Sequence, residues 1–260
     1  MQGNGVVSGA GALASSDSGR ARSDRPRGYA AASLDRVTAV PADYDSDPER
    51  WASRQAARLL DGDVHEGVAA RITDGDLRPV LDVGCGDGRL GALLPANWPL
   101  AGMDASPAQL RHRRDRRMVQ ADAVALPFPD AAFGAVAALW MLYHLDEPVA
   151  AIAEAHRVLR PGGVLFACTS SRRNDPELTD GYPPSTFDAE EAPMLVAAVF
   201  GSKSTGGASW DGPLAELADR ESLVRYLRSH FLPADIADRV RPPIRLTKRG
   251  CLVTAVKAAR

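Results

Sequence analysis

The sequence predicts an α/β fold: a mostly parallel sheet with helices on both faces. Three observations predict it. From Arg78 onward, short apolar runs alternate with helical stretches, the pattern of βαβ units. Most of these runs are apolar at odd and even positions alike, as strands covered on both faces must be. The first run leads directly into three glycines at alternate positions, and a helix follows. With 260 residues, 45% hydrophobic and 25% charged, the chain is long enough to bury a core. Its composition excludes whole-chain disorder, collagen and a coiled coil.

Residues 1–30 read as a disordered tail. The first twenty hold five Gly and four Ser, with Arg22, Arg25 and Arg27 close behind. So little apolar surface does not offset the entropy of ordering a chain. Residues 31–75 read as an N-terminal helical cap. Asp47-Pro48 puts a capping side chain before a proline at the first helical position, and Glu49 to Leu60 follows with Trp51, Ala52, Gln55, Ala56, Leu59 and Leu60 on related faces. Gly62 can end this helix, and a second one covers Val64 to Ile72. The core, residues 76–170, has strands at Pro79–Val83, Leu100–Met103, Met118–Ala121, Phe133–Leu139 and Val164–Thr169. Its helices are Arg89–Leu94, Ala108–Arg116 and Val149–Leu159. Residues 171–243 lose this rhythm to Pro176, Pro183, Pro184, Pro193, Gly206, Gly207, Gly212 and Pro213. They read as an insertion containing helices at Leu195–Phe200 and Glu221–Phe231. Residues 244–260 complete the core. Ile244–Leu246 and Cys251–Val256, joined through Arg249-Gly250, read as a terminal hairpin.

Charge and cysteine content narrow the function classes. With 31 Lys+Arg against 33 Asp+Glu, the formal charge is -2, which gives no global pull toward nucleic acid or anionic membrane. Three cysteines at 85, 168 and 251 are too scattered for a disulfide framework or a metal site, and they suit a reducing cytoplasm. No apolar run approaches the ~20 residues of a membrane span.

Val80-Leu81-Asp82-Val83-Gly84-Cys85-Gly86-Asp87-Gly88 is the most informative segment. Glycines let the backbone turn tightly and let a ligand approach the main chain. The helix behind them offers N–H groups to a phosphate or carboxylate. The spacing is G-x-G-x-G, not the G-x-G-x-x-G of dinucleotide sites, and no Lys-Ser/Thr closes the loop as in a P-loop. Asp104, with Ala105 beside it, ends the second strand, where a carboxylate can accept both hydroxyls of a ribose. Asp122 ends the third strand, where it can accept an adenine amino group with the Ala123 backbone alongside. Two acids at consecutive carboxyl edges after such a loop favour a nucleoside site over a plain turn.

These residues resemble the class I S-adenosylmethionine-dependent methyltransferases, in particular the branch that modifies small molecules. Residues 80–88 match that family's first motif, Asp104 its ribose-binding acid and Gln120-Ala121-Asp122-Ala123 its adenine segment. Leu126-Pro127-Phe128 with Phe133-Gly134-Ala135-Val136 resembles the approach to the fourth strand, although Gly134 replaces the usual Asp. Leu142-Tyr143-His144-Leu145, Val158-Leu159-Arg160-Pro161-Gly162-Gly163 and Cys251–Lys257 resemble later segments. The resemblance covers about residues 78–170 and the tail end. It implies a Rossmann-like sheet of seven strands, the last antiparallel, with S-adenosylmethionine across the carboxyl edges of the first four. Asp82, Gly84, Gly86 and Gly88 would line its methionine half, with only the backbone of Cys85 near the ligand. Leu139 and Trp140 would sit close by. Arg54 would pair with the cofactor's carboxylate or else be a solvated helix charge.

Methyl transfer from a sulfonium asks mainly for alignment of a nucleophile. Where the acceptor must lose a proton, Tyr143 and His144 are the nearest polar candidates for a base; the other reading of His144 is a packed or helix-capping residue. The sequence therefore points to a methyltransferase acting on a small molecule, with residues 31–75 and 171–243 capping the substrate. The aromatic residues Tyr182, Phe187, Trp210 and Tyr226 in that insertion support a pocket there. Two alternatives stand beside it. One is an RNA methyltransferase using the basic cluster Arg111, Arg113, Arg114, Arg116 and Arg117. The other is a non-catalytic nucleoside-binding protein.

Overall fold

The computed structural model describes residues 57–60, 62–111 and 117–259. Eight strands form one sheet: β1 (Arg58–Leu59), β2 (Val80–Val83), β3 (Leu100–Asp104), β4 (Arg117–Gln120), β5 (Phe133–Leu139), β6 (Leu159–Ser170), β7 (Thr205–Leu217) and β8 (Ile244–Val256). Their spatial order is β1-β7-β8-β6-β5-β2-β3-β4. Strands β2 to β6 are mutually parallel, while β8 runs antiparallel between β6 and β7. This is the expected seven-stranded sheet with its last strand antiparallel, extended at one edge by β1. The chain leaves β2 toward β3 and β4, then returns to β2's other side with β5. The end of β2 is therefore the switch point where open α/β sheets form a crevice.

Helices α1 (Val64–Asp74), α2 (Arg89–Leu93), α3 (Pro107–Leu110), α4 (Pro148–Val158), α5 (Ala192–Phe200), α6 (Arg220–Ser229) and α7 (Ile236–Arg239) complete the described residues. Alternate residues of one strand enter opposite cores. Leu81 and Val83 pack with Met103, Phe133, Ile152 and Val196. Val80 packs with Val68, Ile72, Leu90 and Phe166 on the other face. This two-sided burial is why the strands read as continuous apolar runs. No helix among the described residues is long and apolar enough to cross a membrane.

Several sequence expectations are corrected. The helix expected over Glu49–Leu60 lies mostly outside the described residues, but its end is extended. Arg58 and Leu59 pair with Glu216 and Ala215, and the Leu60 N–H donates to Leu214 O at 2.9 Å. Unpaired backbone groups on the β7 edge override a spacing that also fits a helix. The terminal hairpin is instead one thirteen-residue strand, β8, whose outer partner is β7. That partner falls within the stretch 171–243 that reads as irregular. Gly207 fits inside a ladder because a Cβ there would lie 2.6 Å from Leu252 O, and Pro213 stands where the register shifts, a place a strand tolerates proline. Of the helix expected over Ala108–Arg116, α3 is the described part, and residues 112–116 lie outside the description. The tail, residues 1–30, lies outside it as well.

A third core joins Leu178, Leu217, Leu223, Tyr226, Leu227, Ile236 and Leu246 beyond the ends of β7 and β8. A buried polar network fastens it. Asp175 is fully buried at φ 53°. Its Oδ2 accepts from Tyr182 Oη at 2.8 Å, Tyr226 Oη at 2.7 Å and Asn174 Nδ2 at 2.9 Å. Its Oδ1 accepts from Lys248 Nζ at 2.6 Å. Burial pulls the Lys248 ammonium below its ordinary pKa against the opposing pull of Asp175.

Candidate functional site

The loop after β2 owes its shape to glycine. Gly84, Gly86 and Gly88 have φ of 66°, 49° and 76°, values that L side chains rarely adopt. At Gly84 a Cβ would also stand 2.7 Å from Met141 Cβ, so the loop lies directly against the turn after β5. Three of its amides are engaged within the protein. Cys85 N–H donates to Met103 O at 2.9 Å, Gly88 N–H to Cys85 O at 2.7 Å, and Gly86 N–H to Asp104 Oδ2 at 2.9 Å. Two of these donors hold the turn itself and the third holds an acid in place.

Asp104 is that acid. Its other oxygen, Oδ1, accepts from Ser106 N–H at 2.9 Å, so one carboxylate ties the end of β3 to both the glycine loop and the start of α3. A carboxylate has about four acceptor positions, which leaves it able to receive hydroxyls as well. Asp82 lies beneath, 4% exposed. Burial first, and then the charges of Asp104 and Asp87, push its pKa from the ordinary 3.8 up to about 7. The same causes, burial and then Asp82 and Asp104, push the Cys85 thiol far up, so this buried cysteine is no nucleophile. The crevice floor is thus strongly electronegative and suits a cation.

The neighbouring strands add the rest. Asp104 pairs in register with Gln120. Two residues on, the buried Asp122 accepts from Val124 N–H at 3.0 Å, beside the buried Ala123. On the β5 side, Leu139 is buried and Trp140 half-buried. The Trp140 N–H donates to Cys168 O at 3.1 Å. Tyr143 and His144 follow in a short 3₁₀ turn, Leu142–His144, with ring centroids 4.4 Å apart. The insertion reaches this turn, where Thr186 Oγ1 donates to Leu145 O at 2.6 Å. Asp82, Gly84, Cys85, Gly86, Gly88, Asp104, Ala105, Asp122, Ala123, Leu139 and Trp140 thus follow one continuous carboxyl edge, β5-β2-β3-β4, with Tyr143 and His144 at its β5 end. Arg54 lies outside the described residues, as do Arg113, Arg114 and Arg116.

Sequence reasoning missed one connection. Asp63 caps α1 by accepting from His65 N–H at 2.9 Å, and its Oδ2 accepts from Arg89 Nε at 3.0 Å. Arg89 opens the helix behind the glycine loop, so this pair clamps α1 to the loop. Burial raises the Asp63 pKa, but the His65 N–H and the Arg89 guanidinium outweigh it and hold the carboxyl below its ordinary value. The signal available was the capping position of an aspartate directly before a helix.

Residues 81–167 match the family described as Methyltransferase domain. A probable S-adenosylmethionine-dependent methyltransferase of Mycolicibacterium smegmatis is 32% identical over 154 residues, 55% of this chain and 60% of that protein. A 27-O-demethylrifamycin SV methyltransferase of Amycolatopsis mediterranei is 38% identical over 33% of this chain and 36% of its own. A demethylmenaquinone methyltransferase of Thermus thermophilus is 36% identical over 33% of this chain and 44% of its own. The chain thus spans no more than 60% of the length of any of these three relatives. Among solved structures, a methyltransferase of Thermotoga maritima described as a possible histamine N-methyltransferase superposes with a TM-score of 0.51 at 18% identity, covering 82% of this chain and 95% of that one. At that identity the likeness is one of fold.

Proposed function

We propose, from the match of residues 81–167 to a methyltransferase domain and the likeness to an S-adenosylmethionine-dependent methyltransferase, that the chain moves a methyl group from S-adenosylmethionine to a small-molecule acceptor. The observation that carries the reading is the Asp104 carboxylate held by the glycine loop above the buried Asp82. It offers a diol acceptor and a negative field at one switch point. These residues fit the cofactor: the positive-φ glycines leave room for close approach, and the raised pKa of Asp82 marks a carboxylate in need of a cationic partner. The curated relatives named above act, by their names, on a rifamycin and a menaquinone precursor, which supports a small acceptor.

S-adenosylmethionine supplies a methyl group on a positively charged sulfur, which leaves with the bond's electron pair when a nucleophile attacks in line. The chain's own residues bind and orient. Asp104 would accept the two ribose hydroxyls, and Asp122 would accept the adenine amino group with the Ala123 backbone beside it. Asp82 and Asp87 supply negative charge near the methionine half, with Leu139 and Trp140 as an apolar wall that excludes water. Alignment alone can supply ~7–11 kcal/mol in the best cases, so the reaction asks for little acid–base chemistry. Where the acceptor carries a proton, Tyr143 or His144 removes it. Residues 171–204, tied to the 3₁₀ turn through Thr186, cap the acceptor. Calorimetric titration with S-adenosylhomocysteine, followed by transfer of labelled methyl to a metabolite extract and to RNA, tests the proposal. Binding with transfer only to small molecules is expected. Transfer to RNA alone, or binding with no transfer, would overturn it in favour of one of the two alternatives.

A further inference from the structure

Three features of the described residues converge on one spot beside the glycine loop. Trp140, directly after β5, has φ 59°. A bulky aromatic residue in the left-handed region is a strained conformation, and such strain gathers at functional sites. Trp210 is the one large side chain in the stretch from Thr205 to Pro213, whose other members are small or polar. Opposite it on β8 stands Gly250, where a Cβ would come within 2.4 Å of the Trp210 ring. A bare position in the middle of a thirteen-residue strand therefore lets the indole lie flat over the sheet. The two half-buried rings meet with centroids 6.0 Å apart at 64°. This is an edge-to-face corner, not a stack: one ring's edge meets the other's face, and the faces of the edge-on ring stay clear of its partner. The corner's place is fixed by Met141, the residue after Trp140, which packs against Gly84 in the loop.

Resting on the methyltransferase reading above, we propose that Trp140 and Trp210 form the wall that receives the acceptor, and that the acceptor is a planar conjugated molecule carrying its nucleophile on the ring. A flat ring against one indole face abuts the edge of the other, the offset and edge-to-face geometry that aromatic groups prefer. Two rigid side chains, one just after β5 and one midway along β7, hold it at small entropic cost. A flexible aliphatic acceptor would gain nothing from such geometry. This assigns Trp210, on a strand remote in sequence from the cofactor motifs, as a specificity-determining residue.

The test uses the full chain saturated with S-adenosylhomocysteine and two probes of the same skeleton, 2-naphthol and its saturated counterpart decahydro-2-naphthol, followed by ligand-observed NMR titration. The wild type is expected to bind the planar probe about fivefold more tightly, the low end of what stacking on one aromatic side chain contributes. Trp210→Ala is expected to abolish that preference while changing the affinity for S-adenosylhomocysteine by less than about twofold. Trp210→Leu keeps apolar bulk without a ring face; it should lose the preference equally and serves if the alanine variant does not fold. Equal affinity for the two probes, binding of neither, or an unchanged preference in a folded Trp210 variant would overturn the inference. Failure of the wild type to bind S-adenosylhomocysteine would strike the methyltransferase reading instead.

Discussion

Replacing Asp82 with Asn should stabilise the folded protein at neutral pH while weakening its cofactor site. Asp82 is 4% exposed, and its pKa of about 7 arises from burial, then from Asp104 and Asp87. A carboxyl whose folded pKa lies above its unfolded value of 3.8 binds more protons in the folded state. Its contribution therefore falls as pH rises from about 4, and the full penalty is reached above about 7. Between pH 5 and pH 7 this is two pH units at about 1.4 kcal/mol each, or about 3 kcal/mol lost by the wild type and not by Asp82→Asn. His65 and His156 titrate near the same window, both held below their ordinary value by burial. They are common to both proteins and cancel in the difference. Asp63, Glu154, Glu190 and Asp219, all held below their ordinary values, are ionised throughout the window.

Urea unfolding of both proteins at pH 5 and pH 8 measures this difference directly. The gap in unfolding free energy, variant minus wild type, should widen by about 3 kcal/mol from the lower to the higher pH. Calorimetry should show the opposite ordering for ligand: wild-type affinity for S-adenosylhomocysteine rises through pH 7 as Asp82 ionises to meet the ligand's ammonium group, whereas the variant's affinity stays lower and flat. A gap constant within about 0.5 kcal/mol would mean that Asp82 already has a counter-charge in the free protein. The crevice floor would then carry no unbalanced negative charge.

Three further outcomes follow from the geometry. Asp104→Ala removes the acceptor for Gly86 and Ser106 together with the diol site; with charge-assisted hydrogen bonds at about 1.5–3 kcal/mol each, calorimetry should show at least a ~100-fold loss of S-adenosylhomocysteine affinity. Gly250→Ala forces a Cβ to within 2.6 Å of Thr169 O as well as onto Trp210, so urea unfolding should show about 1–3 kcal/mol of overpacking, whereas Gly206→Ala, with nothing within 4 Å, should gain about 0.5–1 kcal/mol. Asp175→Ala strands the half-buried Lys248 and two tyrosine hydroxyls and should cost about 3 kcal/mol, a loss that Lys248→Met in the same background should partly restore.

What the sequence reveals about this molecule tracks how local each signal is. Phe133–Leu139 is legible to the residue because it is buried on both faces and bounded by turns. The glycine loop and Asp104 are legible because loop, strand and acid follow one another within about twenty residues. By contrast, β7 and β8 are joined across α6 and α7, and nothing within either strand names the other. Their pairing is decided by which backbones approach closely, and that approach needs the very residues that mimic turns: Gly207 against Leu252 O, and Gly250 beneath Trp210. A glycine required because another chain passes over it cannot be told, in one dimension, from a glycine required because the chain bends. The Asp63–Arg89 clamp hides for a related reason, since an aspartate before a helix already has a complete local explanation as a cap. Trp210, placed beside Trp140 by this long-range pairing, is therefore among the residues that local periodicity assigns to a loop.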